Sequence, residues 1–360
     1  MSGRSGRLET RDIEEQHQAS SPWDVRHCQL TPGPFFGWTN FVQINGILFY
    51  RQGFSKRVAV DGATPPGFFV FGGSSPYRVP VNVCGADVNR ETLVYTQAST
   101  EIDFVVPDDS DHWVILVPHD RLLGRLDPEF RLAVLRQCHR HMTCSPALAH
   151  TLRQFVCHVI DKFARQPELL TDEWVCKSIE SQLLHMLVRM MRLGHGIADT
   201  ATVLDHQSTL RDVIAVLKGR KQPVTVPDLA VAVKLSQRQL ERDFRNALGI
   251  TPKQYLQRVR MNGARNDLRA AESGFSTVTE IGNDWGFSEL GRFAVEYKTL
   301  FGESPSKTLR RPAVSVPIRL ANALSENDCA ETHRLESRPI RSLHFSGARS
   351  AQTGGRRTSR

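Results

Sequence analysis

Short apolar runs divided by turn residues fill the chain from Trp38 to Val117. Phe41-Val42-Gln43-Ile44 and Ile47-Leu48-Phe49-Tyr50 flank Asn45-Gly46, a pair that accepts the positive φ angles of a two-residue hairpin turn. Further runs cover Lys56–Val60, Gly67–Phe71, Tyr77–Val83, Thr92–Tyr95, Ile102–Val106 and Trp113–Val117. Strands this short and this regular predict a small antiparallel barrel or jelly roll over residues 23–124. After Pro118 the period lengthens to that of a helix. Leu148, Leu152, Phe155, Val156, Val159 and Phe163 form one stripe, and Val175, Ile179, Leu183, Met186 and Met190 a second. They predict a helical hairpin within 125–207, its apolar faces serving either a core or a homodimer interface, with a linker from Gly194 to Gln207. Residues 1–22 and 312–360 are polar, without sustained periodicity, and are expected to be disordered.

Between 208 and 311 the pattern is helical throughout and occurs twice. Leu210, Val213, Ile214 and Leu217 open the segment. The first copy runs from Asp228 through Ala230, Leu235 and Ser236 to Leu240, Phe244, Leu248-Gly249 and Pro252. The second runs from Glu280 through Gly282, Phe287 and Ser288 to Phe293, Tyr297, Phe301-Gly302 and Pro305. The offset is 52 residues up to the serines and 53 beyond them, so the second copy gains one residue where its second helix begins. A small residue (Ala230, Gly282) lets two helices cross closely, an apolar plug (Leu235, Phe287) fills the turn, and Ser236 or Ser288 is placed to cap the next helix. Ser236-x-x-Gln239 and Thr277-x-x-Glu280 read as capping boxes, while Gly249 and Gly302 end the second helices. The fold class is thus α+β: a β-rich N-terminal domain with a helical hairpin, then an all-α domain of two helix-turn-helix units joined by a long helix.

Thr279-Glu280-Ile281, Gly286-Phe287-Ser288, Arg292-Phe293, Tyr297 and Leu300-Phe301-Gly302-Glu303-Ser304-Pro305 closely resemble the signature of the AraC/XylS family of transcription regulators. The resemblance covers about 208–311 and implies seven helices, a connecting helix near Pro252–Ala271, and recognition helices entering two successive major-groove segments of double-stranded DNA. It also implies RNA polymerase as a partner and a small-molecule effector bound by the N-terminal half of a ligand-responsive activator. In the first recognition helix Gln237, Arg238, Glu241, Arg242 and Arg245 lie opposite the apolar stripe, and Arg238, Glu241 and Arg242 align with positions the family uses on base edges. Arginine can fork onto guanine O6 and N7, and glutamate can accept from cytosine N4. In the second helix the matching positions hold Leu290, Gly291, Arg292 and Val295, so only Arg292 is an obvious base reader, with Glu289 and Lys298 nearer its ends. The first unit is therefore expected to supply most of the sequence discrimination. Gly282, where the family usually has alanine, is expected to cost helix stability.

Charge agrees with this division. Of the net +8, residues 208–311 carry 18 Lys+Arg against 11 Asp+Glu, 312–360 carry 8 against 4, and the first 207 carry 20 against 23. Basicity confined to the C-terminal part is the footprint of a phosphate-binding surface. No run of eighteen apolar residues and no signal-peptide core is present, so a cytoplasmic location is expected.

Other chemistry finds little support. The seven cysteines include no C-x-x-C pair, and Cys138, His141 and Cys144 have the spacing of successive helical turns rather than of a zinc knuckle. His27, His112 and His119 lack the His-x-His with acidic ligand that a metal-dependent cupin enzyme would use, and no phosphate loop or nucleophile elbow occurs. No metal, cofactor or catalytic group is therefore expected. Phe69, Phe71, Tyr95 and Trp113 are the candidate lining of an effector pocket in the β domain. An enzyme targeted by a DNA-binding domain and a ligand-independent DNA-binding protein are the competing classes.

Overall fold

The computed structural model describes residues 3–20, 22–74, 81–83, 86–88, 92–136, 142–143, 146–195, 209–217, 223–271 and 276–311. The N-terminal part contains β1 (Arg4–Thr10), α1 (Ile13–Ala19), β2 (Asp24–Gln29), β3 (Gly37–Ile44), β4 (Ile47–Phe54), β5 (Val58–Ala63), β6 (Phe68–Ser74), β7 (Val81–Val83), β8 (Ala86–Val88), β9 (Thr92–Thr96), β10 (Glu101–Val106) and β11 (His112–Pro118). Next come α2 (His119–Leu123), α3 (Pro128–Arg136), β12 (Met142–Thr143), α4 (Pro146–Arg165) and α5 (Glu173–His195). Asn45 and Gly46, with φ of 49° and 84°, make the hairpin turn between β3 and β4, setting Ile44 opposite Ile47. The strands form two antiparallel sheets, ordered β1-β3-β4-β11-β6-β9-β12 and β2-β5-β10-β7-β8.

Strand alternation decides what each sheet face touches. On the larger sheet, Ile47, Phe49, Phe69, Phe71, Leu93, Tyr95, Ile115 and Val117 face α4 and α5, whose stripes (Leu152, Val156, Val159, Phe163, Leu183 and Met190 among them) are buried in the same core. The hairpin stripes are thus used as core. The opposite face of this sheet looks across a cavity at β2, β5 and β10. Among the described residues no helix is long and apolar enough to cross a membrane.

The expected disorder of residues 1–22 does not hold for those described. β1 pairs along its length with β3, and Asp12 caps α1 by accepting from the Glu14 amide. What orders this polar segment is partners far away in sequence, which composition does not reveal. The expected linker's residues 196–207, the Cys138–Cys144 cluster apart from Met142 and Thr143, and the basic tail 312–360 lie outside the described residues.

Candidate nucleic-acid interface

Seven helices occupy the described residues from 209 to 311: α6 (Thr209–Leu217), α7 (Val226–Ala232), α8 (Gln237–Leu248), α9 (Pro252–Ala270), α10 (Val278–Asp284), α11 (Leu290–Phe301) and α12 (Pro305–Leu309). Local chemistry fixes where most of them start. Thr225 with Asp228, Thr251 with Gln254, and Thr277 with Glu280 are complete capping boxes before α7, α9 and α10. The two turns close alike: the Leu235 amide donates to the Ala230 carbonyl, and the Phe287 amide to the Gly282 carbonyl, both at 3.0 Å. Gly249 and Gly302, at φ of 69° and 77°, end α8 and α11.

The starts of the recognition helices differ from expectation. Ser236 caps α8, but Gln239 does not complete the box; its side chain donates to Asp243 instead. Ser288 caps nothing: the extra residue, Glu289, occupies the cap position of α11 and makes no side-chain cap bond. At Gly282 an added Cβ would sit 2.9 Å from Leu290 Cδ2, the end of a half-buried side chain that can give way, so packing alone does not demand glycine there. Where the second turn has Gly286 at φ 73°, the first has Lys234 at φ 57°, a conformation disfavoured for a residue with a Cβ. Lys234→Gly should therefore raise stability by about 0.5–1 kcal/mol, the left-handed cost of lysine being partly offset by glycine's larger unfolded-state entropy. Chemical denaturation of the two proteins measures it.

Leu240, Phe244 and Leu248 on α8, and Phe293, Tyr297 and Phe301 on α11, are buried. Their opposite faces are open: Gln237, Arg238, Glu241, Arg242 and Arg245 are all exposed, as are Glu289, Arg292 and Lys298. Glu241 pairs with Arg245 at 2.9 Å, Arg242 donates to Gln239, and Arg292 pairs with Glu296 at 2.9 Å. Exposed pairs of this kind contribute a few tenths of a kcal/mol, so DNA can displace them cheaply. Lys253 and Arg260 on α9 share a groove with Arg292 beside the start of α11.

Two features of the site go beyond what the sequence indicates. The first is a polar clamp from the N-terminal domain onto the ends of both recognition helices. Arg57 Nη1 donates to the Leu248 carbonyl at 2.7 Å, setting a cation at the negative end of α8. At the end of α11 the Gly33 amide donates to the Thr299 and Leu300 carbonyls at 3.1 and 3.0 Å, and Gln29 Nε2 to Leu300 at 2.8 Å. Asn262 on α9 exchanges two bonds with the backbone of Gln29. Below them lies a buried ionic network. Arg265 side-chain exposure is 3% and Asp12 0%; Arg265 Nε donates to Asp12 Oδ1 at 3.2 Å and Nη2 to Glu303 Oε1 at 2.9 Å. Arg311 pairs with the same two carboxylates at 3.3 and 3.0 Å, and the Tyr297 and Thr308 hydroxyls complete the set. Burial by itself pushes the Asp12 carboxyl up, but the Arg265 charge and hydrogen bonds outweigh it and hold Asp12 below the usual carboxylate range.

The second feature is the cavity between the sheets, of about 120 Å³. Trp113 borders it, but Phe69, Phe71 and Tyr95 do not: alternation turns them to the helix side, into the core. Its floor is the smaller sheet. Val25, His27, Val60, Ile102, Phe104 and Val106 face the cavity, while the intervening Cys28, Ala59 and Val105 pack with Val213, Leu229, Leu240, Phe244 and Tyr255 under the first helix-turn-helix. One sheet thickness separates the two.

Two helix-turn-helix units, each with an open face on its second helix, define a DNA-binding domain, and a family model described as a helix-turn-helix domain matches residues 229–311. That domain is of the AraC/XylS type. Over 99 residues the chain is 48% identical to the "Probable thc operon regulatory protein" of Rhodococcus erythropolis, covering 28% of this chain and 29% of that protein. It is 33% identical over 133 residues to the "XylDLEGF operon transcriptional activator" of Pseudomonas putida, covering 37% and 40%. The chain thus matches less than half the length of these curated relatives. A solved structure described as a probable AraC family transcriptional regulator from Rhodopseudomonas palustris is 34% identical, covers 29% of this chain and 98% of that one, and has a TM-score of 0.27.

Proposed function

We propose that this protein is a sequence-specific transcription regulator, an activator, whose hold on DNA responds to a small molecule bound between its two β-sheets. The observation that carries the reading is the double role of the smaller sheet: one face of β2, β5 and β10 floors the cavity, and the other is part of the core beneath the first helix-turn-helix. His27 in the cavity wall is two residues from Gln29, and Val58 at the start of β5 follows Arg57, so cavity wall and clamp are continuous chain. A ligand that moves either strand acts on the relative placement of the two recognition helices. Such coupling requires the ligand to interact differently with the two placements.

In this reading α8 and α11 enter major-groove segments about 34 Å apart on one face of the duplex. Arg238, Glu241 and Arg242 on α8 and Arg292 on α11 read bases; Gln237, Arg245 and Lys298 contact the backbone, and Glu289 accepts from a flanking base; RNA polymerase is the partner that an activator implies. Selection from random duplexes by the full chain tests it. Enrichment of a motif with two elements one helical turn apart supports the reading, and an unenriched pool refutes it.

The basic tail adds phosphate contacts on this view. A chain truncated after Arg311 loses 8 Lys+Arg and 4 Asp+Glu. Its log–log salt dependence of DNA affinity should be shallower than that of the full chain. Titrations at several salt concentrations check it, and equal slopes would remove the tail from the interface.

A further inference from the structure

The cavity between the sheets is lined by residues of β2, β4, β5, β6, β7, β9, β10 and β11, and its described lining contains no Asp, Glu, Lys or Arg. Most of it is aliphatic and aromatic, and its volume of about 120 Å³ is of the order that takes a single six-membered ring in an apolar protein cavity, for which ~150 Å³ suffices for benzene. A carboxylate or ammonium placed there would leave water without a counter-charge, which is costly.

Two of the polar groups in the lining, Gln52 and His112, fix each other's sense. Gln52 Nε2 donates to Thr39 Oγ1 at 3.0 Å, which leaves its Oε1 facing His112 Nε2 at 3.1 Å. That oxygen accepts, so Nε2 carries the imidazole proton and Nδ1 is left as a bare acceptor. Burial pushes His112 down to about 4, so the ring is neutral at pH 7 and this tautomer is the one present. His112 Nδ1, His27 Nδ1 and the hydroxyl of Thr96, a residue only 2% exposed, all belong to lining residues, are shut off from solvent, and have no hydrogen-bond partner among the described residues. Burial holds His27 neutral as well, pushed down to about 3. Buried polar atoms left unpaired cost free energy that a complementary ligand would recover.

We infer that the cavity binds an uncharged, single-ring molecule bearing a hydrogen-bond donor, of the phenol type, with His112 Nδ1 as the acceptor and the apolar walls holding the ring. This rests on the cavity being the effector site and adds the ligand's chemistry to it. Toluene and phenol differ by one group of nearly equal size, and benzoate supplies the anionic case. Calorimetric titration of the full chain at pH 7 should find phenol bound at least as tightly as toluene, and benzoate at least tenfold more weakly than phenol. In His112→Phe, which keeps a planar ring and removes the acceptor, phenol affinity should fall at least tenfold while toluene binding persists. Thr96→Val, which removes a hydroxyl with no partner and keeps the shape, should weaken phenol more than toluene, and serves if the His112 variant fails to fold. Benzoate binding as tightly as phenol, an unchanged phenol-to-toluene ratio in a folded variant, or no binding of any probe overturns the inference. Adding phenol to an operator titration separates the two claims. Phenol bound without a change in DNA affinity refutes ligand control and leaves the ligand class standing, whereas benzoate that binds and shifts DNA affinity does the reverse.

Discussion

Arg265→Met should lower the unfolding free energy by about 3–5 kcal/mol, the largest loss expected from any single substitution in the clamp. The arginine is 3% exposed and lies between the Asp12 and Glu303 carboxylates. Without it, the ion pairing of two buried carboxylates falls chiefly to Arg311, whose side chain is 36% exposed. Because Asp12 belongs to the N-terminal segment and Arg265 to α9, the loss should appear as separation of the two domains as well as earlier unfolding. Urea denaturation followed by tryptophan fluorescence and limited proteolysis read these two effects. A double substitution, Asp12→Leu with Arg265→Met, should recover part of the loss, since removing both charges leaves fewer unpaired groups than removing one. Additive losses would mean that the pair is not coupled. The sign with pH follows from the depressed Asp12 value. Its contribution is fully present above the unfolded aspartate value of about 3.9 and fades as pH falls through the lower native value, so the clamp should be insensitive to pH near neutrality and open only in acid.

Arg238→Ala and Arg242→Ala should each weaken binding to the selected DNA site by about 1–3 kcal/mol and relax base preference at one or two positions. Both are exposed on α8, opposite buried Leu240 and Phe244, so neither change should alter folding. Arg292→Ala, at the one obvious reader on α11, should relax base preference at no more than one position of the second element. Comparing selected motifs and affinities among the three variants decides the division of labour. An unchanged motif in both α8 variants would move the sequence reading to the second unit.

The DNA-binding half was legible because its determinants are local. Capping pairs such as Thr277 and Glu280, the apolar stripe of Leu240, Phe244 and Leu248, and the glycines at 249 and 302 act within a few residues and leave a spacing that repeats. Even the one-residue offset was visible, although not its effect, which is to put Glu289 where Ser288 was expected to cap. The hairpin at Asn45-Gly46 was legible for the same reason. What could not be read depends on tertiary pairing. Arg4–Thr10 is a strand because β3 is there to receive it, and Asp12 is buried because Arg265, 253 positions later, meets it. Aromatic residue type does not say which sheet face a side chain takes. Phe69 and Phe71 occupy the strand positions that face the helices, and their neighbours Val70 and Gly72 face the cavity. The period of two identifies alternating sets but does not say which set lies inside.

The smaller sheet carries one more consequence. It is a common wall, so whatever free energy passes from cavity to DNA must also pass back. If a ligand changes affinity for the DNA site by some factor, that DNA must change affinity for the ligand by the same factor. Occupancy of the promoter would then tune the concentration of small molecule to which each bound copy answers, and molecules on and off their sites would sense different thresholds in the same cell.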